Sequence, residues 1–183
     1  MLYTRQKRYG EAVEMLQKAI AIKPTFANAH AGLGIAYAEM GLLDKAEAEY
    51  RTAIGLSPLY PEARRRLGRL LLDLGRLAEA EEQYRRAVEV DPTAEGYDRL
   101  GDIYLRWVSA ARAEQAFARA AALDPFDSYA HFHLGALYAA RGRFAEAVRE
   151  YEAGLLTDPR NPQALAALRQ LKAGAGAAAS PQP

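Results

Sequence analysis

The stretch of residues 27–60 reads ANAHAGLGIAYAEMGLLDKAEAEYRTAIGLSPLY. Its first half contains the segment Leu33–Tyr37, LGIAY, and its second half carries Ala46 followed four residues later by Tyr50. Residues spaced by four lie on one face of a helix. Gly41 separates the two halves, where a helix end favours a residue that accepts positive φ. The stretch therefore predicts two helices joined by a short turn.

The same pattern recurs along the chain. Prolines, which disfavour helix at the residue before them, follow one another at intervals of 34, 34, 33 and 34 residues: Pro24, Pro58, Pro92, Pro125 and Pro159. The first-helix motif returns at Leu67-Gly68, Leu100-Gly101 and Leu134-Gly135, and the second-helix motif at Ala80 and Tyr84, Ala113 and Phe117, and Ala147 and Tyr151. A single hairpin cannot bury such an apolar face, so the hairpins are expected to stack.

Leu-Gly-x-x-Tyr, then Ala-x-x-x-Tyr or Phe, then Pro at a period of 34 resembles the tetratricopeptide repeat family. The resemblance implies an all-α fold, an α-solenoid of stacked helix-turn-helix repeats forming a right-handed superhelix. We predict that the array covers residues 1–173 and is followed by a flexible tail at 174–183. Within the array we assign a partial repeat at 1–26, complete repeats at 27–60, 61–93, 94–127 and 128–161, and a C-terminal capping helix at 162–173.

The first residues align with the middle of a repeat, because Tyr3 corresponds to Tyr37. The alignment predicts a second helix that begins near Tyr9 and lacks most of its partner helix. Two explanations stay open: the chain is a piece of a longer array, or Met1 is a natural start.

The third complete repeat departs from the pattern at its turn. Val108 replaces the turn glycine, and Ala110 replaces a large apolar residue. The only tryptophan, Trp107, lies next to both. We expect its ring to fold over the turn and fill the space that Ala110 leaves, with an exposed binding role as the alternative.

Composition excludes several classes of protein. The 183 residues contain 24 Lys and Arg against 23 Asp and Glu, so the chain lacks the strong positive charge of most nucleic-acid binders. With no cysteine it has no disulfide, zinc thiolate or thiol nucleophile. No apolar stretch is long enough to cross a membrane. We expect no nucleic-acid partner, no membrane span and a cytoplasmic location, with the periplasm or a larger envelope protein as alternatives.

No catalytic, cofactor or metal site is predicted. His131 and His133 are two residues apart, and on a helix such residues point about 200° apart, so they do not chelate one ion. Gly32-Leu33-Gly34 begins like a dinucleotide fingerprint, but Tyr37 stands where the third glycine belongs. We therefore interpret the protein as a non-enzyme without a cofactor.

In the family that the chain resembles, the first helices line a concave groove. By alignment, the residues expected to form a peptide-binding groove are Asn28, Ile35, Arg65, Arg66, Arg69, Asp98, Arg99, Asp102, Tyr129, Phe132 and His133. Arginine forks bind carboxylates, and aromatic rings are rigid anchors for a peptide. A partner with an acidic side chain or a C-terminal carboxylate near Arg65 and Arg69 is the resulting prediction.

The charged residues also have a purely structural interpretation. Glu95 and Arg99, Asp102 and Arg106, and Arg69 and Asp73 have the i,i+4 spacing of helix-surface ion pairs. Exposed pairs of this kind contribute about 0 to 1 kcal/mol each. On this interpretation the stripe neutralises itself and commits to no ligand.

The sequence as a whole indicates a protein–protein interaction scaffold or adaptor that binds a peptide or helix of a partner in the groove. The alternatives are a structural or assembly segment of a longer array, a module that self-associates through its N-terminal half repeat, and a regulatory region of a larger protein. In the half repeat, an uncovered face carrying Val13, Leu16 and Ile20 favours self-association or a partner at that end.

Overall fold

The computed structural model describes the backbone of residues 2–178 and the side chains of residues 8–173. Over this range the chain forms ten α-helices and no strand. It divides into two compact units, the first ending at Asp91 and the second beginning at Pro92. The helices of the first unit are α1 (Leu2–Ile22), α2 (Ala27–Glu39), α3 (Leu43–Leu56), α4 (Pro61–Asp73) and α5 (Leu77–Val90).

The second unit repeats this organisation. Its helices are α6 (Ala94–Arg106), α7 (Ala110–Leu123), α8 (Ser128–Ala140), α9 (Phe144–Thr157) and α10 (Pro162–Ala178). Consecutive helices pair into the hairpins α2/α3 and α4/α5 in one unit and α6/α7 and α8/α9 in the other, and hairpins of the same unit stack on each other. The predicted all-α fold of stacked hairpins is confirmed.

A close contact between a glycine and an aromatic ring holds each hairpin together. Phe117 of α7 is fully buried against Gly101 of α6, where an added Cβ would lie 2.5 Å from the ring. Real Cβ atoms do not approach a ring so closely, so glycine lets the two helices approach. The same pairing occurs at Gly34 with Tyr50, Gly68 with Tyr84 and Gly135 with Tyr151. The recurring motifs of the sequence are therefore the packing contacts of the hairpins.

The N-terminal helix differs from the prediction. Residues 2–22 form one continuous helix, without the expected turn before Tyr9. Continuing the helix through this position satisfies more backbone hydrogen bonds within α1 than a turn would. α1 packs on α2, and Val13, Leu16 and Ile20 are partly buried rather than uncovered.

The C-terminal helix is longer than the predicted capping helix at 162–173. Asn161 caps it as expected, because its Oδ1 accepts a hydrogen bond from the Ala164 amide at 3.0 Å. α10 continues to Ala178, so the first part of the tail predicted at 174–183 is helical. Alanine has the highest helix propensity and predominates in this extension. Residues 179–183 lie outside the described residues.

The irregular turn of the third complete repeat keeps the geometry of the other turns. Val108 adopts φ 55°, close to the values of 74° to 77° at Gly41, Gly75 and Gly142. The Ser109 amide still donates to the Tyr104 carbonyl at 2.8 Å, as in the glycine turns. A β-branched residue is strained at positive φ. The full-length helices α6 and α7 pack together and hold Val108 in this conformation.

Trp107 does not fill a buried hole. Its side chain ends α6 and is 39% exposed. The indole contacts the Tyr104 ring at 6.2 Å between centroids, and the Arg112 guanidinium lies 5.9 Å from it. The expectation of a core role was therefore wrong, because the ring lies on the surface of the hairpin.

Val108→Gly is expected to stabilise the protein. Left-handed backbone costs an L-residue about 1 to 2 kcal/mol, whereas glycine adopts it freely. Part of the gain is offset by the entropy that glycine adds to the unfolded chain. We expect the free energy of unfolding, measured by urea denaturation, to rise by about 1 kcal/mol.

Val90→Gly is the matched control, because Val90 is the exposed last residue of a helix and needs no positive φ. This control should lower the free energy of unfolding by up to about 1 kcal/mol. Equal destabilisation by both variants would show that Val108 is not strained.

Candidate functional site

A side chain near the start of each regular first helix ties that helix to its hairpin partner. His30 Nδ1 lies 2.7 Å from Glu49 Oε2, and His30 Nε2 lies 3.1 Å from the Pro24 carbonyl oxygen. His131 makes the same two contacts with Glu150 and Pro125, and Arg64 makes equivalent ones with Gln83 and Pro58. These bridges fix the orientation of the first helices, on which the candidate site residues lie.

In the first unit, two of the candidate arginines bind carboxylates of the same unit. Arg65 Nη1 donates to Asp91 at 2.8 Å, and Arg65 Nη2 donates to Glu62 at 3.1 Å. Arg66 Nε donates to the other oxygen of Glu62 at 2.7 Å. The two guanidinium groups hold the Glu62 pKa below its usual value, against the opposing effect of burial. Arg65 is therefore already engaged by the protein itself.

Arg69 is in a different situation. It is exposed and has no hydrogen-bond or ion-pair partner among the side chains that the structure describes. It lines a cavity of about 260 Å³ between α2, α3 and α4. The cavity is lined by Ile35, Ala38, Glu39, Leu43, Tyr50, Arg66, Arg69, Leu70 and Asp73. Burial raises the pKa of Tyr50 to about 12, so its hydroxyl is neutral at physiological pH.

The second unit carries acidic and aromatic groups at the equivalent positions. Asp102 Oδ2 accepts a hydrogen bond from Arg99 at 3.3 Å, and Asp102 Oδ1 accepts one from the Tyr129 hydroxyl at 2.6 Å. Burial and this hydrogen bond raise the Tyr129 pKa above its ordinary value. Asp102 therefore connects α6 with the first turn of α8.

Asp98 is a buried carboxyl group beside the start of α8. It is only 8% exposed, and its Oδ1 has no hydrogen-bond partner among the described residues. Its side chain hydrogen-bonds to Asp127, which caps α8 by accepting from the Tyr129 and Ala130 amides at 3.0 and 3.2 Å. Burial, followed by Asp127 and Asp102, raises the pKa of Asp98 to about 8 despite the opposing charge of Arg99.

His133 belongs to an aromatic stack. Its imidazole lies parallel to the Phe117 ring at 4.6 Å between centroids, and the Tyr129 ring lies 4.4 Å away. Burial lowers the pKa of His133, which favours the neutral imidazole. His131 instead contacts Glu150, so the two histidines have separate structural roles.

A second cavity, of about 360 Å³, lies where α8 and α9 meet the start of α10. Its lining carries aromatic rings and amide groups: Tyr129, Phe132, His133, Ala136, Tyr151, Asn161, Gln163 and Ala164. The edge of the Phe132 ring packs against Gly154, and its centroid lies 6.5 Å from that of Tyr151. This cavity has the concave, largely apolar character of a ligand pocket.

Comparison with known proteins identifies the repeat. Residues 31–95 and 109–171 match family models described as "Tetratricopeptide repeat", and residues 2–41 match one described as "TPR repeat". The chain belongs to the tetratricopeptide repeat family. Proteins built from these repeats typically act as scaffolds for interactions rather than as catalysts.

Solved tetratricopeptide proteins share the fold at low sequence identity. YrrB, described as "a TPR protein with an unusual peptide-binding site", has a TM-score of 0.79 at 21% identity, over 90% of this chain and 85% of that one. PilF of Pseudomonas aeruginosa has a TM-score of 0.78 at 21% identity, over 92% and 78%. MamA has a TM-score of 0.74 at 25% identity, over 82% of each chain. Among curated proteins, no sequence matches the chain significantly.

The predicted site residues do not all line one cavity of the tetratricopeptide repeats. Ile35, Arg66 and Arg69 line the first-unit cavity, and Tyr129, Phe132 and His133 line the second-unit cavity. Asn28 is exposed and lines neither of these two cavities.

Sequence reasoning missed residues that line the second-unit cavity, among them Tyr151, which packs inside its hairpin, and Asn161, Gln163 and Ala164 at the start of α10. The available signal was that the capping helix continues the 34-residue alignment of the first helices. Within the described part of the chain, no helix is both long and apolar enough to cross a lipid bilayer.

Asp98→Asn is expected to remove a pH dependence of stability. The unfolded chain loses the Asp98 proton near the ordinary pKa of 3.8, whereas the folded chain keeps it until about pH 8. Unfolding therefore releases this proton between those values, and the contribution of Asp98 to stability falls as the pH rises from about 4 to about 8. Asparagine retains a hydrogen-bond donor to Asp127 but does not titrate.

Urea denaturation at pH 5 and pH 8.5 provides the measurement. Between pH 5 and pH 8.5, the free energy of unfolding of wild type should fall by at least about 1 kcal/mol more than that of Asp98→Asn, given that a shift of one pKa unit corresponds to about 1.4 kcal/mol. Asp73→Asn, at an exposed carboxylate of α4, is the control and should change the pH dependence little. If the free energy of unfolding changes equally between the two pH values in Asp98→Asn and in wild type, the folded protein does not hold a proton on Asp98.

Proposed function

We propose that the protein is a non-catalytic adaptor that binds a peptide segment of a partner protein in the groove lined by its first helices. The observation that carries this proposal is Arg69, a cation without a partner among the described side chains, in a cavity that Arg66, Tyr50 and Ile35 also line. Binding a peptide carboxylate would satisfy this guanidinium by charge-assisted hydrogen bonds. The description of the similar protein YrrB as having a peptide-binding site is consistent with this role.

The proposed carboxylate contact involves Arg69 alone, whereas the sequence predicted a contact with both Arg65 and Arg69. Arg65 already binds Glu62 and Asp91, so a ligand would have to displace an intramolecular ion pair to use it. The ion pairs of Arg65 with Glu62 and Asp91 are consistent with the interpretation of the stripe as self-neutralising, whereas Arg69 has no such partner among the described side chains. We assign the acidic group of the partner, a side chain or C-terminal carboxylate, to Arg69.

The charged and aromatic groups favour a binding function over a catalytic one. Catalysis requires a nucleophile next to a base, or titratable groups held ready near a substrate. Asp98, the carboxyl group with the most clearly perturbed pKa, is buried against the cap of α8 rather than open to a ligand. We therefore propose that the chain has no enzymatic activity, and its predicted location stays the cytoplasm.

Arg69→Glu is expected to weaken peptide binding by about tenfold or more, because a charge-assisted hydrogen bond is replaced by like-charge repulsion. Peptides selected from a random displayed library on the wild-type chain provide the ligands, and fluorescence polarisation gives the dissociation constants. Versions of each peptide in which the carboxylates are replaced by amides should lose affinity for wild type by a similar factor.

Arg119→Glu is the control, with the same charge reversal on an exposed residue of α7 outside both cavities. It should leave affinity within about twofold of wild type, the effect expected from a distant surface charge. If affinity is unchanged in Arg69→Glu, or drops equally in Arg119→Glu, a carboxylate site at Arg69 is ruled out.

A second candidate function is self-association through α1, which would make the chain an assembly module. Met15 and Ile22 are 66% and 87% exposed, and seven residues apart they lie on the same helix face. Exposed apolar side chains that share a helix face form a surface that another chain can cover.

Sedimentation velocity over a wide concentration range tests the assembly candidate. If α1 mediates association, the double variant with Met15→Ser and Ile22→Ser should sediment as a monomer where wild type associates. Leu156→Ser is the control, since Leu156 is comparably exposed, at 80%, on α9. A wild-type chain that stays monomeric at the highest concentration excludes this function.

A further inference from the structure

The second-unit cavity has an occupied counterpart one hairpin earlier. Because the two hairpins are offset by 34 residues, each lining residue has an equivalent that is 34 positions lower in number. Phe132, Ala136, Tyr151, Asn161 and Ala164 line the cavity, and their equivalents are Asp98, Asp102, Phe117, Asp127 and Ala130. The two sites therefore occupy equivalent places in the fold and differ in their side chains.

At the earlier site, aromatic rings of this chain fill the space. The His133 imidazole stacks on Phe117 at 4.6 Å with 7° between the ring planes, and the Tyr129 ring lies 6.2 Å from Phe117. The Tyr129 hydroxyl is satisfied by Asp102 at 2.6 Å. An aromatic side chain in this position therefore packs on the ring of the second helix.

At the later site, both filling rings are replaced by other residues. Gln163 stands where Tyr129 stands one hairpin earlier, and Ala167 stands where His133 stands. The ring on which they would pack remains, because Tyr151 takes the place of Phe117 and lines the cavity. The space of about 360 Å³ thus lies where the preceding hairpin places its own rings.

We propose that this cavity binds a phenylalanine side chain of a partner peptide, which would pack on Tyr151. This inference rests on the proposed adaptor function and specifies what the second unit recognises. None of the lining residues that the structure describes is an Asp, Glu, Lys or Arg, and burial favours neutral His133, so the cavity suits an uncharged ring.

The lining also distinguishes phenylalanine from tyrosine. Ala136 replaces Asp102, the residue that accepts the Tyr129 hydroxyl at the earlier site. A bound tyrosine would lack that carboxylate, so its hydroxyl would not gain the charge-assisted hydrogen bond that Tyr129 makes. At the rim, the exposed Gln163 offers an amide group to the peptide backbone.

Titration of the isotope-labelled full chain with N-acetylphenylalanine amide, followed by NMR, tests the proposal. Saturable shifts are expected at the Gln163 and Ala164 amides, with an affinity in the range of about 1 to 10 mM, as for other single-side-chain ligands. N-acetyltyrosine amide should bind about threefold or more weakly, and N-acetylarginine amide should not saturate. Absence of saturable shifts with the phenylalanine probe, or equal binding of the arginine probe, overturns the proposal.

Gln163→Phe places a ring of this chain in the cavity. Its melting temperature should rise by about 4 °C, and its affinity for the phenylalanine probe should fall by about tenfold. Gln170→Phe makes the same substitution two turns further along α10, outside the cavity, and should bind the probe as wild type does. Ala136→Phe occupies the cavity from α8 and should cause the same loss if Gln163→Phe does not fold.

Wild-type affinity in a folded cavity-filling variant, Gln163→Phe or Ala136→Phe, overturns the proposal. The Arg69→Glu experiment reports on the first unit. If the phenylalanine probe fails while Arg69-dependent peptide binding persists, the adaptor function stands and the aromatic site does not. If carboxylate-dependent binding fails while the probe binds in the cavity, the site stands and the carboxylate contact does not.

Discussion

The packing of an aromatic ring against a glycine is the contact on which every hairpin depends. Tyr50, Tyr84, Phe117 and Tyr151 are at most 7% exposed, and each ring lies over a glycine of the preceding helix. A side chain on that glycine would separate the helices and leave the ring partly solvated. Because packed interiors tolerate little change in volume, the contact fixes the distance between the two helices.

Because the distance between the two helices is fixed, the exposed side chains of the first helix have defined positions. The bridges from His30 and His131 to the second helix and to a proline carbonyl fix the start of their helices in addition. The result is a rigid frame on which single substitutions change the chemistry without changing the fold. Rigid elements of this kind are suited to presenting binding residues.

One repeat position shows how side chains of different character occupy the same place in successive hairpins. It carries Arg65 in the first unit, and Asp98 and then Phe132 in the second. Arg65 forms an ion pair with Asp91, Asp98 shares a hydrogen bond with Asp127, and Phe132 lines a cavity beside Asn161. The proposed carboxylate contact therefore lies in the first unit, and the proposed aromatic site lies in the last hairpin.

Spacing rules for Gly, Pro and aromatic residues act within a few turns of helix, and they were enough to predict the all-α class, the hairpin repeat and most helix boundaries. Repeat alignment also predicted Ile35, Arg69 and Phe132 as groove residues, and each of them lines one of the two cavities. Only the three-dimensional packing shows that α1 is continuous, that Arg65 is engaged while Arg69 has no partner among the described side chains, and that Asp98 is buried beside Asp127. These outcomes depend on distances between side chains of different helices, which a periodic pattern does not contain. The cavity beside Tyr151 is of the same kind, because Gln163 and Ala167 stand where the preceding hairpin has the rings of Tyr129 and His133.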